Sequence, residues 1–276
     1  MARFEAAVRS PIAFRRRIGT FAEDLLRPPD TVGIEFEGRL FVWHAFEPDV
    51  DPITKRPIEY GPSVTVVVDG DEDERQAADS LQRFLSTLAY YYDQPAEAIS
   101  YGGSSESDPY WPAVLRAPRT HLGWMITEPY DGIGLRPEPL LRVAVAYYRE
   151  GLSAVSPFYR FLSFWNSIGA TYGDDRHRRA DFINEMAPLH RDAHWDERVP
   201  FPDDPAKAFY DDSRSAIAHV VRDAGKKTID PDRATDRVRI DAEASLLRWI
   251  ARRAIESEYP NPITAGDHAP QDRSCA

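Results

Sequence analysis

The feature that most constrains this chain is a change of hydrophobic period near residue 137. Before it, apolar residues mostly alternate at a spacing of two, as on a half-buried strand. After it they recur at three and four, as on helices that share a core. Phe158, Phe161, Leu162, Trp165 and Ile168 form an aromatic stripe of this kind, and Ser156-Pro157 supplies its start signal. Leu140 to Leu152 reads as the helix before it. Residues 176–190 read as a shorter polar helix, 204–222 as a fourth, and 233–257 as a long fifth. Ile240, Ala244, Leu247, Ala251 and Ala254 share one side of the last. Five helices in succession predict a bundle.

The first half follows another pattern. Residues 1–30 read as an amphipathic helical arm closed by Pro28-Pro29-Asp30. Val32, Ile34 and Phe36 then alternate with polar or small residues. Leu40, Val42, His44 and Phe46 do so again beyond Gly38, which predicts a β-hairpin. A Pro-rich loop covers roughly 48–62, and Val64 to Val68 is the β-branched run of a buried strand. Ala77, Leu81, Phe84, Leu85, Leu88 and Tyr92 place an amphipathic helix over 73–92. Short strand-like pieces lie among Gly, Ser and Pro over 96–135. The fold class expected is α+β: a helical arm (1–30), a mixed α/β domain (31–135), an all-α bundle (136–258) and a disordered tail (259–276).

Composition narrows the function classes. The 276 residues include 13 Tyr, 13 Phe and 6 Trp, enough to bury a sizeable core, so global disorder is excluded. No stretch has the length and apolarity of a membrane span. No apolar segment follows Arg15-Arg16-Arg17, which argues against a signal peptide and makes the cytoplasm the default location. Cys275 is the sole cysteine, so no intramolecular disulfide or thiolate metal cage is expected. Net charge is −11, discouraging for a protein coated in nucleic acid. The charge is uneven, however: −9 over 1–135, −2 over 136–276 and +4 within 214–253.

Several short motifs have a plain structural explanation. Tyr101-Gly102-Gly103-Ser104-Ser105 lacks the Lys-Ser/Thr ending of a phosphate loop and reads as a turn. His190 and His194 would share a helix face, as a metal pair requires, but no Glu follows the first His and Pro188 sits where the helix should end. No Ser stands in a Gly-x-Ser-x-Gly elbow. The paired acids Asp174-Asp175 and Asp203-Asp204 sit where helices begin and suit the helix dipole. No cofactor is expected.

One constellation stands apart, Asp211-Asp212-Ser213-Arg214-Ser215-Ala216-Ile217-Ala218-His219. Arg-x4-His also occurs at Arg39/His44 and Arg116/His121. The first pair would point to opposite faces of a strand and the second flanks Pro118. Only Arg214 and His219 fall in a patterned helix. At about 100° per residue they sit roughly 140° apart, one on each rim of the apolar stripe of Phe209, Ala216, Ile217, Val220 and Val221. One helix cannot easily bring both to the same atom, so chemistry here favours two copies packed together. A rim Arg and a rim His on a core helix also need no function at all.

Over about 137–257, a helical bundle whose late helix carries Arg-x4-His resembles a HEPN domain. The stretch Pro157-Phe158-Tyr159-Arg160-Phe161-Leu162-Ser163-Phe164-Trp165 resembles its Apea-like branch. Across nearly the whole chain the sequence also resembles the MauJ-like family of methylamine-utilisation proteins. That likeness includes Ala89-Tyr90-Tyr91-Tyr92-Asp93, Ile99-Ser100-Tyr101-Gly102-Gly103 and Gly123-Trp124-Met125. The HEPN resemblance implies a metal-independent endoribonuclease that acts as a homodimer, without a cofactor. Arg214 would contact the scissile phosphate and His219 would serve as acid/base group toward the ribose 2′-hydroxyl. Products would carry 2′,3′-cyclic phosphate and 5′-hydroxyl ends. Asp212 and Ser215 would support the motif, although Ser215 stands where active members more often have Asn, Asp or His.

Two functional expectations follow. One is an RNA-cleaving dimer of the toxin or phage-defence kind, whose N-terminal domain senses a protein or small-molecule trigger. The other is a non-catalytic dimer that serves as an interaction or accessory protein. Neither calls for a membrane.

Overall fold

The computed structural model describes residues 14–20, 32–44, 47–50, 57–60, 63–68, 74–96, 98–105, 133–135, 138–218 and 229–265. They divide between two compact units, one spanning Met1–Gly134 with Ile263–Ala276 and the other Leu135–Pro262.

In the first unit, β2 (Val32–Phe36) and β3 (Arg39–His44) form the expected hairpin, with Phe36 opposite Arg39. Its two turn residues, Glu37 and Gly38, have φ of 50° and 74°. A two-residue hairpin turn of matching twist requires positive φ at both positions. The Glu37 carboxylate then reaches the helix α1 (Glu74–Tyr92). It accepts from Ser80 Oγ at 3.0 Å, Arg83 Nε at 2.9 Å and Arg83 Nη2 at 2.6 Å. Beneath this ion pair, Phe84 stacks on Phe41 at 4.8 Å and meets Phe36 edge-on at 5.4 Å. Ala77, Leu81, Leu85 and Leu88 are buried on the same face of α1, as their spacing predicts.

β6 (Ser63–Val68) carries the buried Val64 and Val66 and pairs antiparallel with β3. The other neighbour of β6 is β1 (Phe14–Thr20), which lies within the segment expected to be a helical arm. β1 is flanked on its far side by β7 (Ala98–Ser105), giving the order β2-β3-β6-β1-β7. Hydrogen bonding on both edges makes the strand, and partners so distant in sequence leave no trace in local periodicity. The Tyr101–Ser105 stretch, read as a turn, belongs to β7, where Gly102 and Gly103 face Arg17 and Arg16 in register. Within the Pro-rich loop region, β4 (Glu47–Val50) pairs with β5 (Pro57–Tyr60). β8 (Ile133–Leu135) pairs with β9 (Ile263–Ala265), so part of the segment expected to be a disordered tail is a strand. Residues 266–276 of that tail lie outside the described residues.

The second unit is helical, as expected. α2 (Pro139–Ser153) and α3 (Pro157–Tyr172) each begin with Pro at the first turn, where its missing N–H costs nothing. They approach closely at Gly151, where a Cβ would fall 2.5 Å from the Phe164 ring, and Ser167 Oγ donates to the Ala144 carbonyl at 2.8 Å. α4 (Arg176–His194) runs through Pro188, beyond the expected end near 190. Past that proline, the His190 and His194 rings stack on Trp249 with centroids 3.2 and 6.0 Å away, which gives the last turn a packing partner. Asp175 and Asp204 act as N-caps, accepting from the backbone N–H of Arg178 and Lys207 at 3.0 Å. The long helix α7 (Ala234–Glu258) buries Ile240, Ala244, Leu247, Ala251 and Ala254 against α3 and α4.

The expected fourth helix departs from its wheel. It begins as α5 (Pro205–Ala208), widens into a π-helical turn (Phe209–Arg214) and resumes as α6 (Ser215–Ala218). The Ser215 N–H reaches back five residues to the Tyr210 carbonyl. Phe209 and Ser213, four residues apart, share the inward face and are fully buried. No helix among the described residues is long and apolar enough to cross a membrane.

Candidate functional site

The π turn carries Asp212, Ser213 and Arg214. Ser213 is buried beneath it, and Arg239 of α7 donates from Nη1 both to Ser213 Oγ at 2.9 Å and to Glu243 Oε1 at 3.0 Å. Glu243 Oε2 is buried with no hydrogen-bond partner among the described residues. Burial pushes the Glu243 carboxyl up to about 7, against the opposing pull of Arg239 and the Ser213 hydroxyl. Asp212, half-buried, adds to the upward push through its negative charge.

Arg214 is the last residue of the turn. It is half-buried, and its guanidinium carbon lies over the Tyr210 ring at 6.0 Å. Tyr210 is 41% exposed, and its ring centroid is 6.2 Å from that of the buried Trp165 on α3. Over Trp165 lies a second guanidinium, that of Arg179 on α4, at 4.9 Å. Its Nη1 passes close to Gly169, 3.2 Å from where a Cβ would stand. Burial lowers the Arg179 pKa, and the charges of Arg176 and Arg214 lower it further. The two guanidiniums therefore repel each other across an aromatic pair. Among the described residues no carboxylate forms an ion pair with either.

The predicted site residues thus separate. The structure joins Arg214 to Arg179, Trp165 and Tyr210, and assigns Asp212 to the electrostatics around Glu243. Ser215 is buried, so its side chain is withdrawn from the solvent surface beside Arg214. His219 lies outside the described residues. Arg179, Tyr210 and Gly169 escaped the motif search because they come from three elements with no fixed spacing. One local signal did exist. α4 opens with Arg176-His177-Arg178-Arg179 and has no acid in its first turn, the reverse of what the helix dipole favours. Such violations of local rules concentrate where a chain serves something besides its own stability.

His190 and His194 share a face of α4, with ring centroids 6.4 Å apart. Trp249 and the Arg253 guanidinium above it complete that stack, rather than further metal ligands. Among the described residues no three His, Cys, Asp or Glu side chains gather in a group that could hold a metal ion.

Residues 144–256 match the family described as "Methylamine utilization protein MauJ". The matched span runs from α2 into the last turn of α7, so it covers the core of the helical unit, though less than half of the chain. The helical unit is similar to that family. No curated protein and no solved structure matches the chain.

Proposed function

We propose that the chain is an accessory protein of the methylamine-utilisation type, with its helical unit acting as a binding module rather than as a catalyst. The observation that carries this reading is the family match over residues 144–256. The buried Ser215 beside Arg214 agrees with it, since no second polar side chain accompanies the arginine from that position. Deleting the gene in a methylamine-growing host is expected to impair growth on methylamine while leaving growth on ammonium unchanged. Equal growth of the deleted and complemented strains on methylamine would sink this reading.

A second reading keeps the HEPN resemblance: a dimeric, metal-independent endoribonuclease in which Arg214 contacts the scissile phosphate and His219 moves the 2′-hydroxyl proton. What favours it is the half-buried Arg214 guanidinium, which has no carboxylate partner among the described residues and is therefore ready for the strong charge-assisted bonds that guanidinium makes to phosphate. Incubation with mixed RNAs in EDTA, beside His219→Ala, separates the two readings. Cleavage by the unaltered chain alone, leaving cyclic-phosphate ends, supports the nuclease. Intact RNA with both proteins rejects it.

A further inference from the structure

The geometry points to a phosphate-binding cleft between α3, α4 and the π turn, formed by Arg179 and Arg214 over the Trp165–Tyr210 pair. It goes beyond the accessory reading and needs neither His219 nor cleavage. Two observations carry it independently. First, two guanidiniums converge on one aromatic pair, over Trp165 at 4.9 Å and over Tyr210 at 6.0 Å, with no carboxylate ion-paired to either among the described residues. Elsewhere in this unit half-exposed arginines find acids: Arg160 pairs with Asp241, Arg239 with Glu243 and Arg252 with Glu256. A chain that answers those charges and leaves these two over one aromatic pair holds like charges that a bound anion would neutralise.

Second, the cleft is built around the guanidinium. Arg179 Nη1 lies 3.2 Å from where a Cβ on Gly169 would stand, and its guanidinium sits over the buried Trp165 ring. A guanidinium already resting on an indole loses less freedom on binding an anion than one extended into solvent. Tyr210, 41% exposed, puts the rim of the cleft in contact with water, so a ligand can enter.

Phosphate suits this pair better than carboxylate. A carboxylate brings two oxygens and a single negative charge to two guanidiniums. A phosphate group offers three or more acceptor oxygens and up to two negative charges, which can satisfy two forks at once. The same group occurs free, on small phosphate esters and along an RNA backbone, and the aromatic rim tolerates any of these.

The test is calorimetric titration of the full-length protein with inorganic phosphate, adenosine 5′-monophosphate and a short single-stranded RNA. Arg179→Gln, Arg214→Gln, Tyr210→Ala and, as an exposed control, Arg191→Ala accompany the unaltered chain. Saturable binding of at least one probe is expected, weakened about tenfold or more in each glutamine variant, as loss of one charge-assisted pair implies. Arg191→Ala should bind as the unaltered chain does. Binding of phosphate or the monophosphate identifies a small ester as the natural source, and binding of RNA alone identifies the polynucleotide backbone; both support the cleft. If Arg179→Gln fails to fold, Arg214→Gln and Tyr210→Ala still decide. Absence of saturable binding to all three probes would overturn the proposal, as would affinities unchanged in the folded variants. Neither result bears on growth on methylamine, so the cleft and the accessory reading fail separately.

Discussion

Glu243 should make the helical unit less stable as pH rises through neutrality. Glu243 is 3% exposed, one of its carboxyl oxygens has no partner among the described residues, and burial holds its pKa at about 7 in the folded chain against an ordinary 4.5. Between those values the folded state holds a proton that the unfolded state has released. Folding is therefore favoured fully below about 4.5, and the advantage disappears as pH rises through about 7. A displacement of about 2.5 units corresponds to roughly 3 kcal/mol in total at about 1.36 kcal/mol per unit, of which about 2 kcal/mol is lost between pH 5.5 and 8. Glu243→Gln keeps an acceptor for Arg239 and cannot ionise. Urea unfolding followed by tryptophan fluorescence at pH 5.5, 6.5, 7.5 and 8.5 should show the unaltered chain losing stability relative to the variant by about that amount. A stability difference between the two proteins that stays constant across these pH values would refute the reasoning. It would mean that the carboxyl is ionised throughout, with Arg239 outweighing the cost of burial.

Three other substitutions test the packing and the cleft. Gly151→Ala would drive a methyl group to within 2.5 Å of the buried Phe164 ring, so thermal unfolding should reveal a loss of about 1–2 kcal/mol despite better helix propensity. Gly169→Ala should raise the stability of α3 by up to about 1 kcal/mol while crowding Arg179, so the unfolding midpoint should rise as phosphate affinity falls. A midpoint and an affinity that move together would contradict the proposed fit. Asn184 donates to Asp204 at 3.0 Å and accepts from the Ala206 N–H at 2.8 Å, tying α4 to the start of α5. Asn184→Ala should cost about 1 kcal/mol by denaturant titration, with intact secondary structure by circular dichroism.

What the sequence announced was whatever short-range periodicity encodes. The hairpin at Glu37-Gly38, the apolar face of α1, the starts of α2 and α3 at their prolines, and the stripe on α7 all follow from residues within a few positions of one another. β1 and α4 were misjudged because distant partners decide them: β6 and β7 for the first, Trp249 for the turn beyond Pro188. The π turn had no signal of its own, since a uniform 100° wheel fits its apolar residues tolerably well. Arg214 lies over Tyr210 of the same turn, and the side chains beyond that ring, Trp165 and Arg179, come from α3 and α4. Arg214 could be singled out from its motif, whereas Arg179 could be found only through an oddity of charge at a helix start.

The place of β1 in its sheet also bears on how the chain is made. Phe14–Thr20 is synthesised before both of its neighbours in the sheet, Ser63–Val68 and Ala98–Ser105. Until about residue 105 has been synthesised, β1 cannot be closed on both sides. During that interval the nascent chain presents a strand with an open edge, the kind of surface on which one chain recruits another. Conditions that slow translation between β6 and β7 should therefore favour aggregation of this protein before its helical unit exists.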